Sequence, residues 1–155
     1  MQAMGKLWTS SFKEIKSFDD YGQLFFYHNV NALKHIIDST GAKIVISSTW
    51  RMSGLPIMQD MWRDRNLPGE VISVTPNEID VVRAGKAEFY DSVCRGTEID
   101  HWIKTNDFFG NYVIIDDTHD MLSSQFPVFV DTNAYCGLTF KDAERAIEIL
   151  NKSHK

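Results

Sequence analysis

The stretch Tyr112-Val113-Ile114-Ile115-Asp116-Asp117-Thr118-His119-Asp120 constrains this chain more than any other. A short Val- and Ile-rich run with no alternation reads as a strand buried on both faces, the signature of a parallel sheet. It ends on two adjacent carboxylates, with a third three residues on. In open α/β sheets, ligands bind at the carboxyl ends of the strands. Two like charges side by side are costly unless a cation or strong donors sit against them. An all-oxygen set suits Mg²⁺, which keeps several waters and bridges to phosphate. An acidic strand-to-loop turn at a protein surface satisfies the same pattern, so the motif needs company before it means chemistry.

The rest of the chain supplies an α/β rhythm. Val30, Leu33, Ile36 and Ile37 recur at helical spacing between Asn29 and Ser39, and Gly41 is placed to end that helix. Lys43 to Ser48 reads as a second buried strand that emerges on hydroxyls. Leu55, Met58, Met61 and Trp62 mark an amphipathic helix with Pro56 in its first turn. Val71 to Thr75 is a strand stopped by Pro76. Thr97 with Asp100 predicts a capped helix start, with Ile99, Trp102 and Ile103 on its buried face. Phe126 to Asp131 is a strand candidate whose Pro127 suggests an edge position. Thr139 with Asp142 caps a last helix carrying Ala143, Ala146, Ile147 and Leu150. Strands alternating with helices predict an α/β fold: a three-layer, Rossmann-like parallel sheet with helices on both faces.

With 155 residues, 43% of them hydrophobic, the chain suits a single domain with a real core. Two segments stand apart. Residues 1–25 have aromatic anchors but no clean period, and 77–93 is charged and too long for a minimal loop, so it is expected to be a lid or insertion. The formal charge of -5 argues against a general nucleic-acid coat or an anionic membrane surface, while leaving room for one phosphate site. Cys94 and Cys136 form no Cys-x-x-Cys pair, which fits a reducing compartment. No apolar run reaches membrane-spanning length and no signal-peptide core follows Met1. A cytoplasmic protein with no membrane partner is therefore expected.

Four features fall at strand ends or helix starts: Ser47-Ser48, Arg51, Arg95-Gly96 and Asp116-Asp117. A hydroxyl and backbone N–H groups beside a helix start can hold a phosphate. An arginine can neutralise charge on a transferring phosphoryl group, and the acidic pair can carry Mg²⁺. Singly, each is as readily a surface or strand-end residue. The histidines, His101 and His119 among them, show no ligand spacing. Cys94 is read as a buried thiol. Trp50, Trp62 and Trp102 are read as core or rim packing, although an aromatic near Arg51 could stack on a base.

In this order the features resemble the haloacid-dehalogenase-like (HAD) phosphohydrolases. Ile44-Val45-Ile46-Ser47-Ser48-Thr49-Trp50-Arg51, Arg95-Gly96-Thr97-Glu98-Ile99-Asp100-His101-Trp102-Ile103 and Val113-Ile114-Ile115-Asp116-Asp117 look closest to the HAD domains associated with RNA-repair proteins. The resemblance runs from about Phe26 to Leu150. It implies that Ser47 hydrogen-bonds the transferring phosphoryl group and that Arg95 neutralises it. It implies Ser48 and Arg51 as further phosphate contacts, with Asp116 and Asp117 as Mg²⁺ ligands. Asp120 would help the acidic pair or cap the next turn.

One family element is not matched. The first HAD motif is a strand ending in Asp-x-Asp, which supplies the nucleophile and the general acid/base. No Asp-x-Asp precedes Ser47, and Asp19-Asp20 follows Lys16-Ser17-Phe18, which does not read as a buried strand. In the family that first strand is central, between those ending at Ser47 and Asp116, so here it is expected to be missing or replaced. Another segment, a second copy exchanging a strand, or upstream residues would have to fill the slot, because buried backbone groups must be paired. The implied activity is a Mg²⁺-dependent phosphohydrolase acting through an aspartyl-phosphate on a phosphorylated small molecule or a nucleic-acid end. The alternative is a non-catalytic phosphate- or nucleotide-binding module of the same fold.

Overall fold

The computed structural model describes residues 18–25, 27–47, 53–77, 94–133 and 136–152. Its elements follow in order as β1 (Phe18–Asp19), β2 (Gly22–Gln23), α1 (Tyr27–Thr40), β3 (Ile44–Ile46), α2 (Leu55–Asp64), β4 (Val71–Val74), α3 (Arg95–Thr105), β5 (Ile114–Asp116), a 3-10 turn (Ser123–Val128), β6 (Phe129–Asp131) and α4 (Phe140–Leu150). Within residues 1–25, where an irregular segment, at most an extended loop or a short edge strand, is expected, β1 and β2 form a small antiparallel hairpin. The 77–93 segment lies outside the described residues from 78 onward, as do Ser48, Trp50 and Arg51.

The sheet is present as two parallel pairs, β3 with β4 and β5 with β6. Helices cover it on two sides. On one face, Ala32 and Ile36 of α1 and Ala143, Ala146 and Ile149 of α4 bury Val130, with Ile115 packed against them. On the same face, Met58, Met61 and Trp62 of α2 bury Val71 and Phe25, and Ile44 and Ile46 join them. Leu33 of α1 touches both clusters, so one helix straddles the two strand pairs. On the opposite face, Ile99 and Ile103 of α3 pack against Ile114 and Met121. Trp102 reaches from α3 to β4, where its Nε1 donates to Ser73 Oγ at 2.8 Å. Ile114 and Ile115 thus point to opposite helix layers, which is why their run shows no alternation.

The edges of β3 and β5 that would face the expected first strand can be identified from their hydrogen bonds. Ile44 N–H donates to Glu70 O, and Ile46 O accepts from Thr75 N–H, so both turn their amide groups toward β4. Asp116 O accepts from Thr132 N–H on the β6 side. Val45 and Ile115, one residue out of phase, therefore face the opposite edges. Among the described residues no strand pairs with either of those edges.

Three boundaries differ from the sequence-based expectation, for local reasons. The strand expected from Phe126 begins at Phe129, because Ser123–Val128 coils into a 3-10 turn that contains Pro127. The third helix starts at Arg95 with Cys94 as its N-cap residue, so Thr97 lies inside the helix and does not cap it. Its side chain instead meets the thiol, with Cys94 Sγ 3.2 Å from Thr97 Oγ1. The second strand is shorter than Lys43 to Ser48, ending at Ile46. The capping box at Thr139 is as expected: Asp142 N–H donates to Thr139 Oγ1 at 3.2 Å and Thr139 N–H to Asp142 Oδ2 at 3.0 Å.

The β1–β2 hairpin is fastened to the end of α2. Arg65, its side chain 6% exposed, grips Asp19 through Nε at 2.7 Å and Nη2 at 2.6 Å. Its guanidinium also lies over the rings of Tyr21 and Phe25, at 5.9 and 5.3 Å from their centroids. These hydrogen bonds from Arg65 hold the Asp19 carboxyl below its ordinary range, against a smaller opposing push from burial. The Tyr21 hydroxyl donates to Asp64, which pushes the phenol up to about 12.

Candidate active site

Ser47, Arg95, Asp116 and Asp117 stand at the carboxyl edge of the sheet or at the start of the helix above it. Ser47 directly follows β3, Arg95 opens α3, and Asp116 is the last residue of β5. One guanidinium joins these elements. Arg95 Nη1 donates to the backbone carbonyl of Ser47, and Arg95 Nε lies 3.4 Å from Asp116 Oδ2. Both partners of that ion pair are well covered, with side chains 20% and 10% exposed. Arginine suits the position because its planar fork can serve two acceptors and still present further N–H donors.

Asp116 is oriented from its other side as well. Its Oδ1 accepts from Thr118 N–H at 3.0 Å and from Thr118 Oγ1 at 3.1 Å. This is the local turn that an Asp makes with the backbone two residues on. Asp117 follows, half-buried, where the strand gives way to that turn. Adjacent carboxylates are hard oxygen donors of the kind Mg²⁺ takes, while among the described residues no group of three or more His, Cys, Asp or Glu is placed to hold a metal ion.

Asp120 resolves in favour of capping, but of α3 and not of the next turn. Its Oδ2 accepts from Arg95 N–H at 2.9 Å, and its carbonyl accepts from Gly96 N–H at 2.9 Å. Two of the orphan donors at the start of α3 are therefore already engaged. A phosphate at this edge would meet the Arg95 side chain, not those two backbone amides. Gln125, which no sequence motif marks, completes the arrangement. Buried to 3% exposure, it donates from Nε2 to Gly96 O at 2.9 Å and accepts from Leu122 N–H at 2.9 Å. In sequence it directly follows Ser123 and Ser124, so nothing local singles it out.

His119 pairs with Asp131 at 2.7 Å on the surface, and His101 sits on α3 facing Thr105. Ser48 and Arg51 belong to the part of the expected site that lies outside the described residues.

A mixed α/β domain with parallel strand pairs and helices on both sides, an arginine at a helix start and an acidic pair at a strand end, defines a HAD-like domain. The chain belongs to the family described as the HAD domain in Swiss Army Knife RNA repair proteins, whose family model matches residues 5–143. No curated protein and no solved structure matches it. None of the helices among the described residues is long and apolar enough to cross a membrane.

Proposed function

We propose that this edge of the sheet binds a phosphomonoester together with Mg²⁺, in the manner of a HAD phosphohydrolase. The observation that carries the reading is the position of Arg95, held between Ser47 and Asp116. Arg95 would take the phosphoryl oxygens, with the Ser47 hydroxyl beside it and Ser48 and Arg51 as outer contacts. Asp116 and Asp117 would hold the metal, which when bound neutralises phosphate charge. The family's description points to RNA repair, so a nucleotide or polynucleotide end is the substrate class proposed.

A second reading has its own observation. The sequence contains no Asp-x-Asp, so the nucleophile and acid of the family's aspartyl-phosphate route are not among these residues in their family form. On that reading the chain binds phosphorylated ends without hydrolysing them. Hydrolysis of p-nitrophenyl phosphate and of a 5′- or 3′-phosphorylated oligonucleotide, with Asp116→Ala as control, separates the two. Mg²⁺-dependent turnover above the control supports the phosphohydrolase. Saturable Mg²⁺-dependent binding without turnover supports the binding module, and neither binding nor turnover removes both.

A further inference from the structure

We propose that Gln125 is a positioning residue of this site, acting through the first turn of α3 on the Arg95 guanidinium. The inference rests on the reading of Arg95 as the phosphoryl contact. The segment that leaves Asp116 and Asp117 turns back at once and lies against the helix start that carries Arg95. Asp120 takes the N–H groups of Arg95 and Gly96. Gln125 takes the Gly96 carbonyl on one end of its amide and the Leu122 N–H on the other. The two backbones meet so closely that a Cβ on Gly96 would fall 2.3 Å from Gln125 Oε1, 2.5 Å from Leu122 N and 2.9 Å from Met121 Cα. Only glycine fits there, and its φ is not the reason.

The chemistry of this contact requires an amide. Gln125 must donate at one end and accept at the other, and a buried side chain that fails either task leaves a backbone group unpaired. The strand that bears the acidic pair and the helix that bears Arg95 are thus joined by a polar clamp, in addition to the Arg95–Asp116 ion pair. A shift of the α3 start by a fraction of an ångström moves the guanidinium relative to Ser47 and Asp116. Asp116 itself sits upstream of the clamp and is held on its Oδ1 side by Thr118, apart from its pairing with Arg95 through Oδ2.

The test is Gln125→Glu, which keeps the shape but turns an ionised oxygen toward the Gly96 carbonyl. Inorganic phosphate and Mg²⁺ are titrated separately by calorimetry at pH 8 and pH 5, with wild type at each pH as reference. The expected result is phosphate affinity about tenfold weaker than wild type at pH 8. That ratio should shrink toward one at pH 5, where a protonated Glu can donate again, and Mg²⁺ affinity should stay within about twofold. Unchanged phosphate affinity at pH 8, or parallel loss of phosphate and Mg²⁺, overturns the proposal. A second measurement stands apart from the phosphate reading: the ¹⁵N resonance of Arg95 Nε, recorded in both proteins from pH 5 upward. A pH-dependent displacement in the variant supports positioning, and an unmoved resonance overturns it. If wild type binds no phosphate, the phosphate reading of Arg95 fails, and the resonance still decides whether Gln125 positions it.

Discussion

Arg95 Nε stands 3.4 Å from Asp116 Oδ2, and the same guanidinium donates to the carbonyl of Ser47. The guanidinium thus joins the residue after β3 to the last residue of β5, so charge balance and strand geometry are linked at one point. Replacing Arg95 by Ala should weaken phosphate binding by about 10- to 100-fold, the range for losing a hydrogen bond to a charged group. Arg95→Lys should recover only part, because an ammonium is a single point charge without the fork. Calorimetric titration of phosphate into the three proteins checks the order.

Thr118 fixes Asp116 by two hydrogen bonds, at 3.0 and 3.1 Å. Partners of this kind tune a metal ligand by about 10- to 100-fold in affinity. Thr118→Ala should therefore weaken Mg²⁺ binding toward the lower end of that range, since the backbone N–H bond remains. Asp117→Asn should weaken it more. Mg²⁺ titration of both variants tests the ranking; equal affinity in wild type and Asp117→Asn would contradict it.

At the other end of the chain, Thr139 caps α4 with both bonds of a capping box in place. Thr139→Ala should lower stability by about 1 kcal/mol, read as a drop in the urea midpoint at constant slope. That α4 supplies Ala143, Ala146 and Ile149 to the core makes the loss global rather than local.

The Asp19–Arg65 clamp should be acid-labile. Its carboxyl titrates lower in the folded chain than in the unfolded one, where about 3.9 is ordinary. The stabilisation is then present above about pH 4 and is lost as pH falls through the depressed folded value. Asp19→Asn should melt earlier than wild type at neutral pH, and the gap should close on acidification. A gap independent of pH would contradict the assignment.

How far the sequence could be read depended on the range of the interaction concerned. Local signals held: the Thr139–Asp142 box, Pro56 in the first turn of α2, and the unbroken Ile114-Ile115 run that faces two helix layers. The resemblance placed Ser47, Arg95 and Asp116 at one edge, where they meet. Asp120 and Gln125 were not legible as partners of α3, because they contact it across 25 and 29 positions of sequence. For the same reason the start of α3 was placed at Thr97, since nothing within a few residues of Cys94 announces a cap supplied from after β5. Phe126 to Val128, the second half of the 3-10 turn, reads as strand in the sequence because Phe126 and Val128 suit either conformation.

The central claim is that Arg95 and the acidic pair form one site for phosphate and Mg²⁺. Its most direct test is calorimetry of inorganic phosphate with and without Mg²⁺, on wild type and Arg95→Ala. Wild type should bind phosphate saturably and more tightly with Mg²⁺, and the variant at least about tenfold more weakly. Equal affinities in the two proteins, or no phosphate binding with Mg²⁺ present, would contradict it.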